Sequence, residues 1–356
     1  MNRRVFTTGA VAMAAAVPAL GLATRFAPSA AAQDPIVATM VTDTAGLGDQ
    51  NFNDLANAGG TKAATDFGAE FKVIESTDAT AYLPNLTAGA EQGQLTIGVG
   101  FLLTDAITEV AGEFPDKNFL LIDSVSEAPN VESVTFKEQQ GAFLAGVAAG
   151  LMTKTNKVGA VGGQKIPPVV HYLVGFEAGV KCVNPACEVA IGYADTFDDP
   201  ALGKELALAQ YNNGADISMP AAGRTGIGGF EAAKEKGAGF WVIAADTDQD
   251  HLAPGFQLGY VKKGVDTTVY KTIGEVVNGA FTPGAQNLGL EAENGISFED
   301  PYGIVTPEVW AVIGQYEAAV IAGTIVVPED EDQLAAFTPV APDALPAASP
   351  VASPEA

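Results

Sequence analysis

The sequence predicts an α/β fold of two doubly wound parallel-sheet lobes. Three observations point there: short β-branched runs recur at a steady interval, Ala-rich stretches of helical periodicity separate most of them, and the whole rhythm occurs twice in succession. Strands with uncharged middles suit burial on both faces, which is the situation inside a parallel sheet.

Taken in order, the first 32 residues read as an export signal and are set aside before the fold is considered. Arg3 and Arg4 form its charged start, an Ala/Val/Leu-rich run occupies 10–23, and Ala30-Ala31-Ala32 supplies a cleavage site that makes Gln33 the first mature residue. Asn2-Arg3-Arg4-Val5-Phe6 is similar to the twin-arginine signal, which exports proteins already folded; an ordinary Sec signal holding two arginines is the plainer reading. The run is short, Ala-rich and interrupted by Pro18, so it does not predict a spanning helix. With no cysteine near the cleavage site, no lipid anchor is expected there.

Runs at 36–42, 71–75, 95–99 and 119–122 predict the strands of the first lobe, with helices at 54–66 and 86–92. The segment 140–151 is apolar on nearly every side and bounded by Lys137 and Lys154, which predicts a tightly packed helix opening the second lobe rather than a membrane span. Strands follow at 157–161, 188–191, 216–219 and 240–244, with a helix at 201–212. Helices at 265–278 and 307–322, separated by a Gly/Asn-rich stretch, predict a chain that returns to the first lobe through a multi-stranded hinge. The expected division is 33–137 plus about 262–282 for lobe one and 138–261 plus about 283–305 for lobe two. A C-terminal helix and strand at 306–328 and a disordered acidic, Pro/Ala/Ser-rich tail at 329–356 complete it.

Composition narrows function. With 43 Asp+Glu against 18 Lys+Arg and a net charge of −25, no basic surface is available for nucleic acid or anionic lipid. Apolar residues at 47% and charged ones at 17% are enough to fold most of the chain. His171 and His251 are the only histidines, which leaves no His-rich zinc site and few ways to build a Ser-His-Asp triad. Cys182 and Cys187 flank Asn184-Pro185, and in an exported chain a local disulfide closing that turn is expected. No cofactor is expected.

Ligands of parallel sheets sit outside the carboxyl ends of the strands. Asp43 closes the first strand and leads into a Gly/Asp/Asn-rich loop, 44–53; Asp123 closes the fourth. Gly162-Gly163, Phe197-Asp198-Asp199, Ala221-Ala222-Gly223-Arg224 and Asp246-Thr247-Asp248-Gln249-Asp250 close strands of the second set. Carboxylates, amides and aromatics in those places suit a neutral polyhydroxylated or heterocyclic ligand. Each Asp or Asn there also reads as a helix cap, and each glycine as a turn. The run 223–226 lacks the spacing and lysine of a phosphate-binding loop, and no G-x-G-x-x-G follows the first strand. Asp246-x-Asp248-x-Asp250 begins like a calcium loop, but His251 occupies the glycine position and the closing Glu is missing.

Val41-Thr42-Asp43 followed by Gly48-Asp49-Gln50-Asn51-Phe52-Asn53 resembles the opening motif of the basic membrane protein family of ABC-importer substrate-binding proteins, several of which are purine nucleoside receptors. The similarity continues at 97–101, 121–125, 133–138, 140–146, 175–179, 197–200, 221–223, 231–233 and 261–266, and covers roughly 36–328. It implies a type I periplasmic-binding fold with three crossovers, closing over ligand. It also implies that Asp43, Phe52 and Asn53 contact the ligand, and that Asp123 accepts hydrogen bonds from base or ribose. Asp246 and Lys263 would hold sugar hydroxyls, and Gly223 would let the backbone approach. Tyr172 and Phe176, one turn apart on one helical face, read either as a base-stacking pair or as core, and Phe197 as a further aromatic contact. His171-Tyr172 stands where the family usually has Arg-Phe, and Arg224 replaces a common glycine.

The function so implied is capture of a purine nucleoside outside the cytoplasm by a monomer that delivers it to a membrane permease, with no chemical step. The alternatives are a binding protein for a sugar or another small polar solute, and a sensory receptor component. A metal-dependent nucleoside hydrolase would instead use Asp246, Asp248 and Asp250 with Asp43 and Asp49.

Overall fold

A computed structural model describes residues 35–346, so the export signal and everything from 347 onward lie outside the described residues. The chain opens with β1 (Val37–Val41), α1 (Phe52–Phe67), β2 (Glu70–Ile74), α2 (Tyr82–Gln92), β3 (Leu95–Val99), α3 (Thr104–Glu113), β4 (Asn118–Ile122) and β5 (Val131–Phe136). It continues through α4 (Glu138–Met152), β6 (Lys157–Gly162), α5 (Pro167–Val183), β7 (Glu188–Tyr193), α6 (Pro200–Asn212), β8 (Ile217–Ala221), α7 (Ile227–Lys236), β9 (Trp241–Asp246) and β10 (Gln257–Lys263). It closes with α8 (Val265–Val277), β11 (Gly284–Leu288), β12 (Ile296–Glu299), α9 (Pro307–Ile321) and α10 (Glu331–Ala336).

Among the described residues, the strands make two six-stranded sheets, ordered β11-β5-β4-β3-β1-β2 and β12-β10-β9-β8-β6-β7. All pairings are parallel except β12 on β10. The period-two alternation of strands divides each sheet's apolar residues between its faces. In β4, Leu120 and Ile122 pack with Ala56 of α1 and Val269 of α8, while Phe119 and Leu121 pack with Leu86 of α2 and Ile107 of α3. In β9, Ile243 and Ala245 join α4 and α5, and Val242 and Ala244 join α6 and α7. Both sheets are therefore covered on both faces, as the uncharged strand middles require.

The chain passes between lobes three times, after β5, after β10 and after β11. Each lobe holds six strands where four were expected. The sequence hides β5 because Glu132 interrupts its apolar run; the carboxylate is buried and accepts bonds from Thr272 and Gln286. It hides β11 because that edge strand is exposed and polar. Pairing of β11 with β5 moves the expected limit of lobe one from about 282 to 288.

Two further expectations are corrected. Residues 329–346 do not lack structure: α10 caps with Asp330, Leu345 is buried, and the Tyr316 hydroxyl donates to the Val340 carbonyl at 2.6 Å. The alternating Pro/Ala composition conceals Leu334, Phe337 and Val340, which pack on the second-lobe core. Cys182 and Cys187 are both buried and free. The Cys182 thiol is held beside Val340 and the Cys187 thiol lies toward Val158 and Glu188, so the intervening turn aims them at different neighbours.

Helix α4 is buried on nearly every side because it packs against α5, α9, β10 and β12 at once. Its approach to α5 depends on glycine: a Cβ on Gly146 would stand 2.1 Å from the Phe176 carbonyl oxygen, and one on Gly179 would stand 2.0 Å from that of Phe143. Gly179→Ala is expected to cost about 1–3 kcal/mol by forcing the two helices apart. Gly112→Ala, whose added methyl meets nothing within 4 Å, is expected to leave stability unchanged or slightly raised. Calorimetric unfolding of the two variants checks the contrast.

Candidate functional site

The carboxyl ends of both sheets face one cleft. Nine of the ten expected contact residues line it: Asp43, Phe52, Asn53, Asp123, Tyr172, Phe197, Gly223, Asp246 and Lys263. Phe176 does not. One helical turn beyond Tyr172, it has passed the strand ends and is fully buried in the α4–α5 interface, so its reading as a stacking residue is corrected to core.

Sheet order arranges the cleft in matched pairs. Asp123 follows β4 and Asp246 ends β9, and each strand is third in its sheet. Both aspartates adopt left-handed backbone, with φ 67° and 63°, a conformation uncommon outside glycine and several-fold enriched for Asp. Gly100 after β3 and Gly223 after β8 form a second pair, at φ 114° and 54°. These turns bring short side chains and bare backbone to the cleft where a longer residue would fill it.

Between the aspartates lies Lys263, at the end of β10. Its side chain is 2% exposed, and its ammonium donates to Asp123 Oδ2 at 2.6 Å and Glu138 Oε1 at 2.9 Å. It lies 5.1 Å from the Phe52 ring centre and 5.2 Å from that of Phe136, within cation–π range. Glu138 Oε2 in turn meets His171 Nδ1 at 3.0 Å. The Tyr172 hydroxyl donates to Asp246 Oδ1 at 2.7 Å. One ammonium thus faces three buried carboxylates. Burial alone would lower the Lys263 pKa, and Asp123, Glu138 and Asp246 more than reverse that, so the lysine stays charged. Burial would raise Glu138, but Lys263 and His171 hold it below its ordinary value. Asp123 and Asp246 are both pushed up by burial, against the pull of Lys263.

At the other end of the cleft, Asp43 Oδ1 accepts from Ala45 N at 2.9 Å and Asn53 Nδ2 at 2.8 Å, and burial raises its pKa. Asp49 organises the loop before α1 by accepting from the backbone N–H groups of Asn51, Asn53 and Asp54. Burial nonetheless pushes Asp49 up to about 6. Among the described residues, two buried oxygens of cleft-lining side chains have no hydrogen-bond partner, Asp123 Oδ1 and Asn53 Oδ1. Both are acceptors, so a ligand that satisfies them must bring N–H or O–H groups.

Sequence reasoning missed Glu138 and named Asp49 only in the family motif and the hydrolase alternative, not among the ligand contacts. A lone acid opening the otherwise apolar α4 was the available signal for Glu138, since a buried charge requires a partner. Among the described residues, no three His, Cys, Asp or Glu side chains converge as a metal site. Asp248 turns away from the cleft, accepting from Gln257 Nε2 at 2.8 Å and the Tyr302 hydroxyl at 2.5 Å.

The model of the family described as "Bmp: ABC transporter substrate-binding protein PnrA-like" matches residues 36–331. The chain is 32% identical to the ABC transporter nucleoside-binding protein BmpA of Lactococcus lactis subsp. cremoris, over 92% of this chain and 99% of that one. It is 34% identical to the CD4+ T-cell-stimulating antigen of Listeria monocytogenes, covering 82% and 87% of the two chains. A crystal structure of solute-binding proteins from Aeropyrum pernix K1 superposes with a TM-score of 0.79 at 28% identity, covering 85% of this chain and 96% of that one.

Replacing Lys263 by the uncharged, similarly long Met is expected to destabilise the fold by about 3–5 kcal/mol, because three buried carboxylates lose their cation. Asp123 and Asp246 already have raised pKa values, and without the ammonium they rise further. Folding then favours their protonated forms, so stability is retained at low pH and lost as pH rises through those folded values. The deficit of Lys263→Met should therefore shrink between about pH 8 and about pH 5, which urea unfolding of variant and parent at both pH values measures.

Proposed function

The chain belongs to the PnrA-like family of ABC transporter substrate-binding proteins, and on that footing we propose that its cleft captures a purine nucleoside as a monomer and releases it unaltered. Substrate-binding proteins of ABC importers work outside the cytoplasm and deliver a small molecule to a membrane permease. No helix of the described residues is long and apolar enough to cross a membrane. Export by the twin-arginine route is part of the proposal, on the strength of the Asn2-Arg3-Arg4-Val5-Phe6 run.

The observation that carries the nucleoside reading is the pair of partnerless acceptors, Asp123 Oδ1 and Asn53 Oδ1, in a cleft that also holds Phe52, Tyr172 and Phe197. A purine nucleoside supplies what such a wall lacks: ribose hydroxyls and ring or exocyclic N–H groups as donors, and a flat π-face for the aromatic rings. A free sugar supplies the donors without the flat heterocycle. A nucleotide adds a phosphate that meets Asp43, Asp49, Asp123 and Asp246 with Lys263 as the single cation lining the cleft among the described residues, an unfavourable field. A relative whose name states nucleoside binding, at 32% identity, agrees with this choice.

Melting of the mature chain with inosine, guanosine, adenosine, cytidine, ribose and inosine 5′-phosphate tests the proposal. A purine nucleoside at about a hundred times its dissociation constant should add about 2.7 kcal/mol of stability, while ribose and the nucleotide should add nothing. Asp123→Asn, which keeps the shape but removes the charge, should weaken nucleoside binding by about 10- to 100-fold in calorimetric titration. A shift with ribose and none with any nucleoside would sink the assignment and leave the family standing.

A further inference from the structure

The acidic run Asp246-x-Asp248-x-Asp250 does only part of its work in the cleft. Asp246 lines it, whereas the next turn reaches over the cleft to the first lobe. Gln249 Nε2 donates to the Gln50 carbonyl oxygen at 2.9 Å, and His251 Nε2 meets Gln50 Oε1 at 3.0 Å. A third second-lobe residue, Arg224, comes against the same first-lobe loop, within 3.7 Å of where a Cβ on Gly48 would stand. We propose that the loop 247–252 is a closure clasp, with Gln249 and His251 as positioning residues that grip Gln50 and hold the lobes together over whatever solute the cleft takes.

Both halves of the clasp are preorganised within their own lobes. On the second lobe, Asp248 Oδ1 accepts from Asp250 N at 3.0 Å and Gln257 Nε2 at 2.8 Å, and Gln249 N donates to Gln257 Oε1 at 2.9 Å. Asp250 Oδ1 accepts from Gly255 N at 2.9 Å. These bonds fix the loop backbone so that the Gln249 and His251 side chains project across the gap. On the first lobe, Asp54 accepts from Gly48 N at 2.8 Å and Gln50 N at 3.0 Å, and Gln50 is held at φ 56°. Gln249 is 2% exposed although its amide has its partner on the opposite lobe. A buried amide whose partner belongs to the other lobe is satisfied only while the lobes are closed, or when water replaces that partner on opening.

A contact made only in the closed state raises the population of that state, and so strengthens apparent affinity and slows release without touching the ligand. The spacing of carboxylates that begins like a calcium loop is explained on the same basis: Asp248 and Asp250 are spent on the turn's own hydrogen bonds.

The test uses the full mature chain labelled with a fluorophore pair, one on an exposed position of α2 and one on α6. Lobe separation is read with no ligand present, so the result stands whether or not the cleft binds a nucleoside. Gln249→Ala, His251→Ala and Gln50→Ala should each shift the distribution toward open. With inosine, each should raise the dissociation rate by about three- to tenfold while the association rate stays within about twofold. Because His251 and the Gln50 side chain act through one contact, the His251→Ala/Gln50→Ala double variant should open no further than either single variant. Unchanged separation in all three single variants, or a double variant that is the sum of the two, overturns the proposal. Melting of each ligand-free variant within a degree or so of the parent separates this effect from loss of folding.

Discussion

The ammonium of Lys263 is the point on which the arrangement turns. It ends β10, where the chain leaves the second lobe, and it binds Asp123 of the first lobe and Glu138 at the start of α4. Two of the three chain crossings therefore meet at one buried cation. A buried ion pair is weak evidence for net stability, since desolvation offsets much of the Coulombic gain. Its value here is positional. The ammonium holds one oxygen of Asp123 and leaves the other without a partner in the cleft wall. Excess carboxylate around one cation sets the character of the pocket, which is rich in acceptors and hostile to anions.

The two lobes contribute to that pocket by the same geometric device. Parallel sheets deliver the chain to one edge, and a left-handed residue after the third strand of each sheet turns an aspartate toward the gap. The strain of placing a non-glycine residue there is of order 1 kcal/mol and is offset by the bonds that fix each carboxylate. Loops outside the pocket act on closure instead: those around Gln50 and Gln249 touch each other rather than the cleft's centre.

The fold was legible in the sequence because its information is periodic. Eight of the twelve strands among the described residues show as short β-branched runs, since most of them are buried on both faces of a parallel sheet. Two of the other four were obscured for physical reasons: Glu132 puts a paired carboxylate into β5, and β11 is a polar edge strand that has no face to bury. The C-terminal strap was misread because Leu334, Phe337 and Val340 are spread through Pro/Ala-rich sequence, and their shared packing surface is made by α5 and α9 rather than by local periodicity.

The site was legible to the extent that it follows from strand ends. Asp43, Asp123, Gly223 and Asp246 could be found that way because strand carboxyl ends must point at the cleft once the sheets are parallel. What local sequence cannot specify is which of two neighbours on one helix reaches the opening, or which atom a charge pairs with. Tyr172 and Phe176 are equivalent by periodicity, and only their places along α5, one turn apart, separate ligand wall from core. The same holds for Lys263 and Glu138, which are 125 residues apart and paired by the hinge. The sequence by itself thus determined the lobes, their order and the polar rim, all consequences of local pattern and chain direction. The tertiary structure decided the shared ammonium, the partnerless acceptors and the cross-lobe clasp, because each is a contact between segments that only closure of the fold brings within a few ångströms.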